Sequence, residues 1–531
     1  MRHRTAPLDV AIVGGGHNGL VAAAYLARAR RRVAVFEARD QVGGAAVTEE
    51  IFPGFRYSSA AYLVSLMQSK VVVDLDLARF GYAVTPKEPA YFAPFPDGSH
   101  FFMWRDMART QAEIARFSTR DAEAYPRYEE FLGRVARVVE PTLLRPPPDV
   151  PPRGMEDALA LGRLGLDLVN LGRADLAMFV RLMTGSVQDF LDRWFVSERL
   201  KVALASDGVI GTNGGPRTPG TGYVLLHHQM GGVGGVRGLW GFPRGGMGAV
   251  SEAIAASARA AGATIRTGAP VERILIRNGS TRGVLLASGE EIEARVVVSN
   301  ADPKRTFTRL LDSAELPDDF RAEVEAYRCV GSSFKMNLAL DGLPDYRAVP
   351  GTAPGPQHRG TTHICPDLAT MERGWEDASN GRTSQRPLIE ITIPSVYDPS
   401  LAPPGKHVMS MFVQYAPYHL VGTTWVEERD RFADRVIDTV AEYAPNLKQI
   451  ILHRHCLSPL DLETRFGLTG GNIFHGEMSL DQLFNLRPFP GWSRYETPIR
   501  GLYLCGSGTH PGGGVMGAPG HNAARAILNA R

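Results

Sequence analysis

The chain has 531 residues, which is enough for roughly two to four domains. Its composition, with 44% hydrophobic and 21% charged residues, is typical of a globular protein. A formal net charge of +2 gives no electrostatic reason to expect nucleic acid binding. The four cysteines lie far apart and form no C-x-x-C pair, so we predict neither a metal site nor a redox disulfide.

The N-terminal stretch has the pattern of a βαβ dinucleotide-binding unit. Residues 10–13 predict a strand, residues 20–30 a helix and residues 33–36 a second strand. A G-x-G-x-x-G sequence joins the first strand to the helix, whose N-terminal amides and positive dipole end favour phosphate. An acidic residue directly after the second strand completes the fingerprint.

Each position of this fingerprint has a physical reason. Gly14 permits the tight turn, Gly16 lets a pyrophosphate approach the backbone, and Gly19 lets the helix pack closely against the strand. His17 lies inside the phosphate turn, where we expect it to position the phosphates. Glu37 follows Gly19 by 18 residues, so its carboxylate is expected to accept hydrogen bonds from the adenosine ribose.

A second G-x-G-x-x-G sequence, at Gly512, Gly514 and Gly517, lies near the C-terminus. The helix predicted after it is followed by no strand with an acidic residue, so it does not form a second dinucleotide fingerprint. We therefore predict no separate nicotinamide domain. We expect Gly513 and Gly514 to lie against a flavin ring, where any Cβ would intrude, and the following helix to direct its positive end at that ring.

Residues 155–194 predict helices that carry leucines near helical spacing. Packing against the rest of the protein is the favoured interpretation, and contact with a membrane or a lipid substrate is the alternative. Glycines interrupt every long uncharged stretch, so no transmembrane helix is predicted. Because the first strand begins by residue 9, no targeting peptide is expected, and we predict a cytoplasmic protein that is peripheral to a membrane if the alternative holds.

Together these motifs resemble the superfamily of FAD-dependent amine oxidases and bacterial phytoene desaturases. The residues that carry this resemblance are 14–19, Glu37, 43–44, 245–247 and the C-terminal glycine loop. A second set, residues 14–26, 43–50, 223–228 and 502–517, resembles in particular the branch named pyridine nucleotide-disulfide oxidoreductase domain-containing protein 2. The resemblance implies that FAD lies extended across the first domain and is held by Gly14, Gly16, His17, Asn18, Gly19, Glu37, Gly43, Gly44, Ala45, Val271, Gly506, Gly513, Gly514 and Val515.

The resemblance also implies an α/β fold, in which a three-layer Rossmann-like FAD-binding domain with a parallel sheet is interleaved with an α+β substrate domain. We assign residues 1–105, 241–303 and 491–531 to the FAD-binding domain. Residues 106–240 form a helical part of the substrate domain, and residues 304–490 form its remainder. Amine oxidases usually carry a basic residue where this chain has Ala45, which weakens an amine oxidase interpretation.

The implied activity is that of an FAD-dependent oxidoreductase of the dehydrogenase or desaturase type. A hydrophobic small molecule, such as a polyene or a lipid-like compound, would give hydride to the flavin N5, and oxygen or a quinone would accept the electrons. Two alternatives stay open: a non-redox polyene isomerase that uses the same flavin, and a binding protein of the GDP-dissociation-inhibitor type without FAD.

Two adjacent histidines, His227 and His228, are the candidate catalytic residues, because histidine titrates near neutral pH. Two ordinary polar residues at a helix end are an equally good interpretation.

Overall fold

A computed structural model describes residues 7–530. The strands are β1 (Leu8–Val13), β2 (Val33–Phe36), β3 (Thr48–Phe52), β4 (Phe55–Ser58), β5 (Val84–Pro86), β6 (Tyr91–Pro94), β7 (His100–Met103), β8 (Gly232–Val233), β9 (Val236–Arg237), β10 (Gly241–Pro243), β11 (Thr264–Arg266), β12 (Val271–Arg277), β13 (Ser280–Leu286), β14 (Glu291–Ser299), β15 (Ser333–Leu340), β16 (Thr361–Ile364), β17 (Leu388–Thr392), β18 (His407–Gln414), β19 (Ile451–Leu457) and β20 (Leu502–Leu504).

The α-helices are α1 (His17–Arg28), α2 (Ser69–Asp74), α3 (Met107–Ala115), α4 (Thr119–Val139), α5 (Met155–Asn170), α6 (Arg173–Thr184), α7 (Val187–Leu191), α8 (Glu198–Val209), α9 (Thr221–Gln229), α10 (Met247–Ala260), α11 (Pro303–Arg309), α12 (Asp318–Ala326), α13 (Pro356–Arg359), α14 (Leu368–Ser379), α15 (Trp425–Tyr443), α16 (Leu447–Ile450), α17 (Pro459–Phe466) and α18 (Ala518–Asn529).

The first sheet is parallel at its centre. Strands β11, β2, β1, β14 and β20 lie in that spatial order and all run in the same direction. The first residues of β14 instead pair antiparallel with β13, which pairs antiparallel with β12. Strand β2 is buried along its whole length, as expected for a parallel strand covered on both faces. The predicted α/β fold with a parallel sheet is confirmed.

Helices cover one face of this sheet, and the antiparallel strands with two further helices cover the other. On the first face Leu20 of α1, Ile254 of α10 and Ala523 of α18 share one apolar core with the sheet. On the second face Phe307 of α11 and Phe320 of α12 pack with β13 and β14. The first domain therefore has the three predicted layers.

The second sheet has the strand order β19-β15-β18-β17-β16-β6-β7, antiparallel except where β16 pairs with β6. Its side chains alternate strictly between two faces, as the pleat of a strand requires. Residues such as Phe334, Met411 and Ile389 pack against α15 in one apolar core. The opposite face carries Lys335 and Glu390, and this face looks toward the first domain.

The strand pairing corrects two of the predicted domain boundaries. Strands β6 and β7 lie within residues 1–105, yet they belong to the second sheet. Helices α11 and α12 fall almost wholly within residues 304–490, yet they pack on the first sheet. Both assignments depend on strand pairing and packing between distant residues, which local composition does not determine.

The predicted helical region at residues 155–194 forms α5, α6 and α7. Helix α6 packs inward through Leu182, which is fully buried. Helix α5 instead exposes apolar side chains, with Leu159, Leu166 and Val169 each more than half exposed. Within residues 7–530, no helix is both long enough and apolar enough to span a bilayer.

Candidate functional site

One continuous cavity of about 480 Å³ lies between the two sheets, within the size range of small-molecule sites. It begins at the carboxyl ends of the parallel strands, beside Glu37 and Val271, and passes the glycine turn after β1. It then passes Gly514 and Val515 and ends against the second sheet at Lys335. The cavity thus joins the predicted dinucleotide site to the predicted substrate domain.

The glycines of the N-terminal turn are required by close contacts. Gly14 has φ +92°, which favours glycine. A Cβ on Gly19 would lie 2.4 Å from the carbonyl oxygen of Gly14, and a Cβ on Gly16 would lie 2.6 Å from Nδ2 of Asn300. Gly16 also forms a bridge with Gly43, so the Gly-Gly pair after β2 returns across the turn as predicted.

Glu37 anchors this end of the cavity through both carboxylate oxygens. Its Oε2 accepts a hydrogen bond from the N–H of Gly15 at 2.7 Å, and its Oε1 accepts one from the N–H of Arg39 at 2.9 Å. The side chain is only 7% exposed and lines the cavity. Each carboxylate oxygen has a second lone pair, so the group can still accept the predicted hydrogen bonds from a ribose.

Two half-buried histidines flank the phosphate turn. His17 lines the cavity, and its Nε2 has no hydrogen-bond partner in the protein. Burial lowers the pKa of His17 to about 4, offset in part by a hydrogen bond with the backbone of Gly514. Burial, with the neighbouring His17, also lowers the pKa of His475 to about 3. Both rings are therefore neutral at pH 7, and His17 keeps an unused polar atom beside the cavity.

The C-terminal glycine loop lies close to side chains of the protein. A Cβ on Gly513 would lie 2.2 Å from Cδ1 of Phe474, and a Cβ on Gly514 would lie 2.6 Å from Cδ1 of Leu66. The missing side chains therefore leave room for protein atoms, and the contact of these glycines with a flavin ring stays a prediction. Gly514 and Val515 nevertheless line the cavity, whereas Gly513 does not.

Most of the predicted cofactor-binding residues meet at the cavity. Those that line it are Gly14, Gly16, His17, Glu37, Gly43, Gly44, Ala45, Val271, Gly514 and Val515. Asn18, Gly19, Gly506 and Gly513 lie behind this lining, where Asn18 donates a hydrogen bond to Ser507 at 3.1 Å. Their contribution is to hold the loops in place.

The two candidate catalytic histidines differ in position. His227 does not line the cavity, and its Nε2 donates to the carbonyl oxygen of Gly513 at 2.9 Å. Burial, with the adjacent His228, lowers the pKa of His227 to about 3. His227 therefore connects α9 to the C-terminal loop and is not placed for proton transfer. His228 does line the cavity, with Nδ1 donating to the carbonyl oxygen of Asp207 at 2.7 Å.

The sequence analysis missed a row of side chains on the second sheet. Lys335, Phe412, Glu390 and His363 are neighbours in register on adjacent strands, and the first three line the cavity. A lone charge inside an otherwise buried strand was the available signal, because such a residue needs a polar partner or a ligand.

Two further polar pairs close this end of the cavity. The Tyr91 hydroxyl donates to Asp207 at 2.5 Å, and the Lys87 ammonium donates to the Thr361 hydroxyl. Burial lowers the pKa of Lys87 to about 8 and that of Lys335 to about 7, although the charge of Glu390 opposes both shifts.

Burial alone would raise the pKa of Glu390, but the adjacent His363, the nearby Lys87 and the Tyr62 hydroxyl hold it at about 2.

The residues at the other end fit FAD. Helix α1 begins at a glycine with no side-chain cap, so its first N–H groups remain available to a pyrophosphate. A Cβ on Gly44 would lie 3.3 Å from Cα of Gly16, so the glycines keep a backbone-lined cradle open. The unpartnered Nε2 of His17 and the carboxylate of Glu37 supply polar contacts on either side of that cradle.

Comparisons with known proteins agree with this geometry. The model of the family described as flavin containing amine oxidoreductase matches residues 19–528. The chain is 45% identical over 543 residues to pyridine nucleotide-disulfide oxidoreductase domain-containing protein 2 of Rattus norvegicus, covering 98% of this chain and 93% of that protein. It is 26% identical to a lycopene-forming phytoene desaturase of Pseudescherichia vulneris, covering 97% and 98%.

A solved structure of a putrescine oxidase variant with redesigned cofactor binding has a similar fold. Its TM-score is 0.60 at 18% identity, with 98% of this chain and 99% of that chain covered. The predicted resemblance and the predicted cofactor, FAD, are thus both confirmed. The chain belongs to the flavin-containing amine oxidoreductase family.

Proposed function

We propose that the protein is an FAD-dependent dehydrogenase or desaturase, which oxidises a small molecule whose body is apolar. The observation that carries the proposal is the continuity of the cavity from the dinucleotide residues to the second sheet. Bound FAD supplies the hydride acceptor. Oxygen or a quinone is the proposed final electron acceptor.

The chain's own residues supply a pocket that excludes water beside the flavin end. Its apolar wall includes Leu63, Leu66, Ile210, Ile473 and Phe474, which lie between Gly514 and the second sheet. Such a wall orients an apolar substrate and keeps solvent from the reacting atoms. An FAD-free binding protein of the GDP-dissociation-inhibitor type is disfavoured by the family match and by the intact cradle for the cofactor.

The test is anaerobic mixing of the purified flavoprotein with candidate substrates while the flavin absorption band is recorded. Bleaching by an unsaturated or saturated apolar compound, followed by recovery when oxygen or a quinone is added, supports the proposal. Conversion of a polyene without net flavin reduction would support the isomerase alternative instead.

For a peripheral membrane contact we propose helix α5, because Leu159, Leu166 and Val169 expose apolar side chains on one surface. Flotation with phosphatidylcholine vesicles tests this contact. Leu166→Glu should abolish flotation while leaving the flavin content unchanged, since Leu166 lies outside the cavity lining.

A further inference from the structure

The substrate end of the cavity is unusually rich in buried charge for a pocket that would hold a hydrocarbon. Lys87, Lys335, Glu390 and Asp207 are each less than a tenth exposed, and all four line the cavity. An all-apolar ligand would remove the remaining water from these groups without replacing any hydrogen bond, which is costly. The substrate must therefore bring a polar group to this end.

The two carboxylates already have donors. Glu390 accepts a hydrogen bond from the Tyr62 hydroxyl at 2.7 Å, and its other oxygen lies 3.3 Å from Nε2 of His363. Asp207 accepts a hydrogen bond from the Tyr91 hydroxyl at 2.5 Å. The two tyrosine hydroxyls and His363 thus hold both carboxylates in place.

The two ammonium groups are less completely satisfied. Each can donate three hydrogen bonds, yet Lys87 donates one to Thr361, and Lys335 donates one to Ser410. Among residues 7–530, no carboxylate oxygen lies within 4.0 Å of either nitrogen. Lys335 also lies over the Tyr62 ring, 4.1 Å from its centre, whereas Lys87 is 5.1 Å from the centre of the Tyr91 ring. The larger unused donor capacity therefore lies at Lys87.

We propose that the substrate carries an oxygen acceptor, a carbonyl or carboxylate group, and that Lys87 binds this oxygen while the apolar body lies along the opposite wall. This inference rests on the proposed function, because it concerns the substrate of the same cavity. A protonated amine is a poor occupant, since its charge would lie beside the Lys87 ammonium. A plain hydrocarbon offers no acceptor at all.

The experiment measures binding, and no turnover is required. Laurate, methyl laurate, laurylamine and dodecane are titrated into the oxidised holoprotein, and the perturbation of the flavin spectrum and the thermal stability are recorded. Laurate or methyl laurate should bind about tenfold to a hundredfold more tightly than the amine or the alkane, as expected for a hydrogen bond to a charged group. The ratio between laurate and methyl laurate distinguishes a carboxylate from a carbonyl.

Variants assign the preference to one residue. Lys87→Met should remove most of it, Lys87→Arg should keep it, and Lys448→Met, which changes an exposed lysine on α16, should leave it intact. Flavin content and melting temperature show whether each variant folds. Should Lys87→Met not fold, the head-group preference of the wild-type protein still decides the question.

Equal binding of all four ligands by the wild-type protein, or an unchanged preference in folded Lys87→Met, overturns the inference. If the protein prefers ligands with an oxygen acceptor but no compound of the series reduces the flavin, the result supports this inference and counts against the proposed oxidation.

Discussion

The glycines at 14, 16 and 19 and those at 512, 514 and 517 have the same spacing, but their missing Cβ atoms would meet different neighbours. In the first loop the nearest atoms are the backbone carbonyl of Gly14, which faces Gly19, and the side chain of Asn300, which faces Gly14 and Gly16. In the second loop the neighbours are the apolar side chains of Met478, Leu66 and Val71. At Gly19 the neighbour is a backbone atom that cannot move aside, whereas Gly512, Gly514 and Gly517 all have positive φ angles, which disfavour a side chain whatever the space around it. The same pattern of glycines is therefore required for different physical reasons in the two loops.

The largest difference is expected at Gly19. A Cβ there would lie 2.4 Å from the Gly14 carbonyl oxygen, so Gly19→Ala must separate α1 from the phosphate turn. We expect a loss of about 3 kcal/mol or more in the free energy of unfolding, and loss of FAD. Urea unfolding and flavin stoichiometry measure both effects.

The matched control is Gly165→Ala on α5, where a Cβ would meet nothing within 4 Å. This change should be neutral or stabilising by up to about 1 kcal/mol, because alanine favours a helix over glycine. Comparable damage in the two variants would show that the contact at Gly19 is not the cause.

Glu37→Ala should have the next largest effect, and the quantity that it lowers should be the affinity for FAD. The variant loses the acceptor for the N–H groups of Gly15 and Arg39 as well as the proposed ribose contact. We expect FAD affinity to fall about tenfold to a hundredfold, which corresponds to about 1.5–3 kcal/mol. Flavin content after gel filtration measures it, with Glu37→Gln as the variant that keeps one acceptor oxygen. Equal flavin content in Glu37→Ala and the wild-type protein would remove Glu37 from the site.

Gly513→Ala tests whether the second loop acts through packing or through contact with FAD. Its Cβ would collide with Phe474, so we expect a destabilisation of about 1–3 kcal/mol. Since Gly513 does not line the cavity, the loss should be the same with and without FAD. Thermal unfolding of the apoprotein and the holoprotein measures this, and Phe474→Ala in the same chain should recover part of the loss. An effect confined to the holoprotein would instead place the flavin ring against Gly513.

The smallest expected effect concerns nicotinamide coenzymes. The second glycine loop leads into α18, which packs on α1 and the first sheet, so it belongs to the same domain as the βαβ fingerprint. Stopped-flow mixing with NADH or NADPH should therefore bleach the flavin slowly or leave it unchanged. Rapid, saturable bleaching at micromolar coenzyme would mean that a second dinucleotide site exists.

Local patterns predicted the elements that surround the cofactor. The strands predicted over residues 10–13 and 33–36 and the helix predicted over residues 20–30 appear in the structure as β1, β2 and α1. The apolar periodicity of each element decides its type before any packing is known. The glycine fingerprint and Glu37 are also local, and they meet at the cavity as predicted.

The substrate end could not be predicted in the same way, because its residues come from distant strands. Lys87, Asp207, Lys335 and Glu390 approach one another only through the register of the second sheet and the packing of α8. Strands β16 and β19, which help to set that register, were not predicted. Lys335 and Glu390 were visible as single charges within apolar strands, but no local pattern indicated that they face the same cavity.

The hydrogen bond between Asn18 and Ser507 joins residues 489 positions apart. Helix α18 closes the same contact, since a Cβ on Gly520 would lie 2.2 Å from the carbonyl oxygen of Asn18. At ribosomal rates of about 5–20 residues per second, the phosphate turn waits roughly 25–100 s for these partners. Its glycines emerge first from the ribosome, yet its supporting contacts form last. The protein must therefore be almost fully synthesised before it can take up its flavin, and a nascent chain stalled before β20 should remain colourless.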